Sequence, residues 1–561
     1  MLTAFGLFII VIGLVLLIAY WWANQGVFSA ILHLVCVIVA GAVAFSTWEA
    51  LAMLLLNRGA LENYAWGVAL LLPFAIYLLI ARLLADKLVP NNLNFPQWSN
   101  LVFGGTAGLV AGVLTMGMCM LGGGMLQGTN DLMGFRGSYR TDEAKGQPQF
   151  DAQNLWLPAH KVTASCFGFL SARALAPEVG RSMTNAYPRI AEMSFSLHRD
   201  SAENGRARTS APPSSVQIGR VWYSSEIENS DRSKGAYIVE LDVDSTASDS
   251  GGTVTITASQ LHLIEEVPIS STRQPRIVFP DRWSQPNESG SRGIWPFDDL
   301  LNVATNVPGQ QETKFFFFFP AAELGSPDNQ QSPPRFLAFK GLRLRLPEIE
   351  VSRPNNIEAN NIARGVGGTN NNVPLVDPNA KSVASKDLVP NKSIAPAVVS
   401  INELSTIEHT DQLLTEGEQE LPRGGKAPSP ANRINGIFQQ EGTIIVRLNI
   451  SRRLSSIDLW NDRNKVREKA GDNATLFLVD SLGNQYAPIG FIWIKPDGVT
   501  IKLDPKRGID SIGGFPNQPS SGIHELYALF NPTAGVKIVS IRLGNEIVAN
   551  ADLDLPLNDA K

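Results

Sequence analysis

Apolar residues run almost unbroken through four stretches before residue 130 and then give way to a chain in which they alternate with polar ones. The stretches are residues 2–20, 28–56, 65–84 and 101–126. Each supplies about the 20 helical residues that a hydrocarbon core requires, so the pattern predicts four transmembrane helices in contact with a lipid bilayer. Tyr20-Trp21-Trp22 closes the first as an interfacial aromatic anchor. The second is longer than a bilayer needs, which predicts a tilted or partly emergent helix. The first stretch lacks the basic flank and small-residue cleavage site of a signal peptide, and three more spans follow, so it is read as retained. Pro73 predicts a kink in the third.

Gly104, Gly108 and Gly112 recur every four residues in the fourth span and so share one helix face, where a second backbone can approach closely. The expected use is packing inside the four-helix unit, with homo-oligomer formation through the same face as the alternative. His33 and Glu49 are the ionisable residues of the second span, and such residues in a bilayer invite a functional reading. Sixteen residues separate them, about 24 Å along a helix, so they cannot form one site there. Each is expected to serve packing or the membrane surface.

Charge divides the chain sharply. All but three of its 47 Lys and Arg, and all but three of its 52 Asp and Glu, lie beyond Gly128. The short loop between spans one and two has no basic residue, the next has Arg58, and the third has Arg82 and Lys87. The positive-inside rule then places the third loop in the cytoplasm and both termini outside it. A net charge of −5 with mixed signs gives no basic stripe for a nucleic-acid partner.

One family likeness adds to this. Gly26 marks the first turn, and the fourth span is preceded by a short polar loop. It begins Trp98-Ser99-Asn100-Leu101-Val102-Phe103-Gly104-Gly105-Thr106-Ala107-Gly108-Leu109-Val110-Ala111-Gly112. From Gly26 to Met125 the chain resembles the membrane domain of the CvpA (colicin V production protein) family. The resemblance implies a bacterial inner-membrane protein with a role in secretion or envelope homeostasis, and a C-terminal extension on the periplasmic side.

Beyond Gly128, residues 159–174 place Val162, Cys166, Leu170 and Ala174 at helical spacing and predict an amphipathic helix, lying on the membrane or on the domain that follows. Residues 201–215 read as a loop. The period then changes to that of strands. Residues 237–244 alternate apolar with acidic, Gly251-Gly252 turns into a Thr/Val strand, and residues 335–340 and 342–346 alternate again. Phe315 to Phe319 form a run expected to be buried on both faces, because its exposure would invite aggregation. Residues 437–557 hold further strands at 443–450, 475–479, 485–494, 498–503, 526–530 and 536–543. The ends of the two β regions look alike: an aromatic strand closed by Pro, a turn, and a Lys-bearing strand.

The expected fold is a multi-domain membrane protein, a four-helix transmembrane bundle followed by two immunoglobulin-like sandwiches, with one split β domain as the competing arrangement. The expected divisions are 1–130 membrane, 131–215 connector, 216–350 first sandwich, 351–435 a largely disordered linker rich in Asn, Pro, Ser and Gly, and 436–561 second sandwich.

Chemistry is sparse. Cys36 and Cys119 fall in apolar spans and Cys166 stands alone, which rules out a disulfide framework in the soluble part. No GxSxG, HExxH, GxGxxG or P-loop occurs, and His160, His198, His262, His409 and His524 are scattered. His262 is read as a surface residue of a strand, and Asp242 and Asp244 as a solvated face. No catalytic residue, metal or cofactor is assigned, and the chain is not expected to be an enzyme. The leading expectation is an envelope protein whose extracytoplasmic β domains bind a protein or envelope polymer. The alternative is a transporter or channel component working through the four helices, distinguished by Glu49 or His33 facing a polar cavity.

Overall fold

The computed structural model describes residues 2–556 apart from 90–92, 94, 127–131, 141–147, 151–154, 174–186, 197–208, 230–232, 248–253, 268–273, 287–291, 298–301, 307–311, 323, 326, 328–332, 352–374, 425, 440–442, 482, 506 and 520. The Gly251-Gly252 turn, His198 and most of the 201–215 loop therefore lie outside the described residues.

The four apolar stretches form helices long and apolar enough to cross a membrane: α1 (Leu2–Gln25), α2 (Val27–Asn57), α3 (Ala65–Leu88) and α4 (Gln97–Leu126). Pro73 sits inside continuous α3, and α4 opens with a π-helical turn at Asn100–Gly104. Helix α4 is central because its glycines open several faces at once. A Cβ on Gly104, Gly108 or Gly112 would lie within 3.5 Å of α1 or the α1–α2 turn. One on Gly122 would strike Leu71 of α3, and one on Gly124 would strike Ser194. The four-residue glycine face is therefore covered by α1 of the same chain, and self-association through it would have to displace that helix. Gly108→Leu is expected to cost about 1–3 kcal/mol, because the side chain must enter space held by Trp22 and the Ala19 backbone. Gly123→Leu, at a position open for 4 Å around, is expected to leave the thermal midpoint in detergent unchanged.

Helix α5 (Ala159–Arg173) follows, and then α6 (Ile190–Ser196). The sequence left α5 on the membrane surface or on the next domain. Instead it packs on the membrane helices: Thr163 Oγ1 donates to the Val113 carbonyl of α4 at 3.3 Å, and the Phe167 ring fills the space beside Gly41 of α2.

The first β unit comprises β1 (Val216–Glu228), β2 (Lys234–Asp244), β3 (Leu261–Glu265), β4 (Arg282–Pro286), β5 (Glu312–Pro320), β6 (Pro334–Phe339) and β7 (Leu342–Arg345), with shorter strands at the margins. The larger, six-stranded sheet has the central order β1-β2-β5-β4, and the smaller one runs β7-β6-β3 before a last short strand. Phe315 to Phe319 of β5 are each no more than 2% exposed. Phe315, Phe317 and Phe319 join the main core, while Phe316 and Phe318 join a second cluster with Trp222 and Ile238. Both faces of that strand are buried, as the run of five implies. Asp242 and Asp244 of β2 are half-buried rather than fully solvated. Glu240 is buried between Arg220 and Lys314, and burial raises the pKa of Asp242 above the usual range against the pull of Lys314.

The second β unit contains β8 (Leu413–Pro422), β9 (Val446–Asn449), β10 (Leu476–Asp480), β11 (Gly490–Ile494), β12 (Gly498–Leu503), β13 (Glu525–Phe530), β14 (Lys537–Leu543) and β15 (Glu546–Asp554). Its larger sheet has the central order β9-β13-β11-β12-β8, and its smaller one contains β10-β14-β15. Strand β8 corrects the reading of residues 351–435 as a linker. It pairs with β12 over six registered positions, from Gly417 against Leu503 to Pro422 against Gly498. Ile394, Val399, Ile407 and Leu414 then help cover the face of the large sheet turned away from the smaller one. Residues 352–374 of that stretch lie outside the described residues. Among the described residues the two units share no strand. In each, the aromatic strand (β5, β13) lies in the larger sheet and the next long strand (β6, β14) in the smaller.

Candidate functional site

The first β unit is fused to the membrane helices rather than tethered to them. One contiguous buried cluster runs from Val37, Trp48, Trp66 and Met125 of the helices into Leu263, Leu337 and Leu342 of the smaller sheet. The residues at this junction come from both the helices and the smaller sheet. Near its C-terminal end α2 presents Trp48 and Glu49, and α3 begins with Trp66. Trp48 Nε1 donates to the Trp66 carbonyl at 2.9 Å, the two indoles meet edge to face at 5.5 Å, and the Tyr187 ring lies 4.8 Å from Trp48.

From the sheet side, Lys340-Gly341 joins β6 to β7 with positive φ at both positions, 45° and 84°, the requirement of a tight two-residue hairpin. A Cβ on Gly341 would lie 2.6 Å from Trp66 Nε1, so this turn can press on the indole only with glycine there. Two residues on, Arg343 Nη2 donates to both carboxylate oxygens of Glu49, at 3.2 and 3.0 Å. Its guanidinium also lies 4.9 Å from the Phe336 ring and 5.7 Å from that of Tyr187. Burial opposes the Arg343 charge, but Glu49 and Tyr187 outweigh it and raise its pKa. Burial, reinforced by Glu49, raises the Tyr187 phenol well above its ordinary range. At neutral pH the junction therefore holds one ion pair beside a neutral phenol.

Between these groups lies a mainly apolar cavity of about 80 Å³, lined by Trp66, Met125, Tyr187, Ser194 and His262 among others. His262 corrects its reading as a surface residue. It is 5% exposed, because the face of β3 that alternation leaves for solvent is closed by the junction. Burial lowers its pKa to about 3. The native state therefore refuses a proton that the unfolded chain accepts below its usual ~6.5, and stability drains away as pH falls from there toward 3. His262→Leu is expected to lose about 2 kcal/mol less than the parent between pH 6.5 and 5, measured by urea unfolding. Parallel acid limbs for the two proteins would mean that His262 meets solvent.

The two ionisable residues singled out from the sequence are not brought together. Glu49 belongs to the junction, whereas His33 belongs to the far end of the bundle. There its ring stacks on Trp22 at 4.1 Å, with the Arg82 guanidinium 5.0 Å from the same indole. Arg82 pairs with Asp86 at 2.6 Å and donates to Ser29 Oγ at 3.3 Å, while Asn100 Oδ1 accepts from the Val27 amide at 3.1 Å. Arg343, Tyr187, Trp66 and Gly341 were not singled out from the sequence. Glu49 and the break between the strands 335–340 and 342–346 were legible, but nothing in the chain pairs Glu49 with Arg343 across 294 positions. Among the described residues, no three His, Cys, Asp or Glu side chains gather as metal ligands would.

No family model, curated protein or solved structure matches the chain. What the geometry establishes is a protein with four helices fit to span a membrane and a mainly β portion, whose first unit is built into the membrane helices.

Proposed function

We propose that this chain is a membrane-anchored protein of the bacterial inner membrane whose two immunoglobulin-like β units stand on the periplasmic side and bind a protein or an envelope polymer. The observation that carries the reading is the fusion of the first β unit to α2 and α3 through Glu49–Arg343 and the Trp48–Trp66–Tyr187 cluster. A unit held this way is presented to a partner at a fixed height and orientation over the bilayer, which lowers the ordering cost of binding. The sandwich assignment is supported by two antiparallel-rich sheets in each unit and by the same passage from larger to smaller sheet after the aromatic strand. The periplasmic assignment is supported by the loop charges and by the family likeness, which also suggests service to secretion or envelope homeostasis. A transporter or channel reading would draw on Glu49 or His33, and these are engaged by Arg343 and Trp22.

The test is accessibility in intact cells. Ile523, 76% exposed on the second β unit, is changed to Cys after Cys36, Cys119 and Cys166 are replaced by Ala. Labelling by a membrane-impermeant maleimide without lysis is expected, and protection until the cells are opened overturns periplasmic display. A photo-crosslinker at the same position then tests binding. A discrete adduct with protein or envelope polymer is expected, and no adduct there or at exposed Leu454 removes the binding half of the reading.

A further inference from the structure

Among its described side chains, helix α5 turns one exposed polar residue, Ser165, outward between two apolar ones. Its inward residues Ala159, Thr163, Ala164 and Phe167 pack on α4 and α2, while its outward stripe is Val162, Ser165 and Phe169, with Val162 and Phe169 45% and 58% exposed. A helix whose described outward residues carry no charge is at home in a protein core or in lipid. The charged residues of α5 are Lys161 in the first turn, paired with Glu192 at 3.5 Å, and Arg173 at the last position.

Depth decides between core and lipid. Phe167 packs beside Gly41, eight residues from Glu49 on one side and eight from His33 on the other, so about 12 Å along α2 from each. Those two residues mark the bundle's polar levels: the Arg343 junction at one and the Arg82–Asp86 pair at the other. On α4, Thr163 meets the carbonyls of Val113 and Leu114, well inside that helix. Both approaches to α5 come from the β-unit side. Trp156 lies against Phe5 and Phe8 near the start of α1, with rings 6.3 and 5.3 Å away, and Tyr187 lies against Trp48. The described residues on either side of α5, Trp156 and Tyr187, thus lie on one side of the bundle. The outward Val162 and Phe169 of α5 are as exposed as the apolar outer residues of the bundle, Ile9 and Leu16 of α1, Val39 of α2 and Leu109 of α4, each at least 42% exposed.

On this geometry, and resting on the membrane reading of α1–α4, we infer that α5 is a re-entrant helix embedded in one leaflet, whose Val162 and Phe169 contact acyl chains. It makes a fifth membrane element without altering the even number of spans, so the amino terminus and the β units stay on one side of the bilayer.

Spin labels on the full chain in phospholipid vesicles test it, in the background free of native cysteines. Phe169→Cys is expected to collide with oxygen in preference to a water-soluble nickel chelate, as Leu109→Cys on α4 does, while Ile523→Cys shows the reverse. A chelate preference at position 169 beside a lipid signature at 109 overturns the re-entrant helix and leaves the spans intact. Exclusion of both reagents from 169 overturns it too, because the stripe is then covered by protein. A chelate preference at 109 would instead sink the membrane reading itself. Should Phe169→Cys fail to accumulate, Val162→Cys reads the same stripe.

Discussion

Gly341→Val is expected to loosen the first β unit from the membrane helices and to lower the thermal midpoint more than any other single change described for this protein. Two penalties coincide. The residue sits at φ +84°, a conformation a β-branched side chain resists, and the same side chain would have to occupy space held by the Trp66 indole 2.6 Å from its Cβ. The hairpin cannot retreat freely, because Leu342 beside it belongs to the common core. Together these place the cost at about 3–5 kcal/mol. Gly341→Ala keeps the φ penalty with less bulk and is expected to fall between parent and Val. Circular-dichroism melts in detergent measure the series, and an unchanged midpoint for Gly341→Val would mean that the turn does not bear on Trp66.

Arg343→Met is the second. It keeps the length and apolar stem of the side chain but strands the Glu49 carboxylate against Trp48 and Tyr187. Removing one member of a buried pair costs about 3–5 kcal/mol. Glu49 keeps a third of its surface, so solvent screening reduces the expected loss to about 2–3 kcal/mol. Adding Glu49→Gln to Arg343→Met should return most of that loss, since the stranded charge is what destabilises. A double variant no more stable than Arg343→Met alone would show that Arg343 acts through its packing on Phe336 and Tyr187 rather than through the pair.

The features legible in the sequence are those whose signal is local. Four apolar stretches became four helices because hydrophobic length alone decides them, and Gly104, Gly108 and Gly112 pack as their spacing implies. The phenylalanine run of β5 announced burial on both faces. What stayed hidden depends on distant partners. Residues 413–422 carry four glutamates and glutamines among few apolar residues and resemble a solvated linker. They form a strand because the backbone pairs with β12 and buries Leu414 and Leu421, while Lys502 and Lys495 meet Glu418 and Glu420 at 3.3 and 3.0 Å on the exposed face. His262 alternates like an exposed strand residue, and it is buried by the junction with the helices together with the Phe279 ring 5.4 Å away. Helix α5 shows its apolar periodicity plainly, yet the depth at which it docks is set by Gly41 and Gly117, whose missing side chains speak only once the helices stand together.

The span between Glu49 and Arg343 also sets a clock on biogenesis. At about 5–20 residues per second, a ribosome needs roughly 15–60 s to make the 294 residues that separate the two. For that interval α2 and α3 lie in the bilayer with a carboxylate and two tryptophans waiting for a partner not yet synthesised. The nascent helices are therefore open to quality-control proteases and to lipid headgroups at this one place, until the hairpin carrying Gly341 and Arg343 emerges to close it.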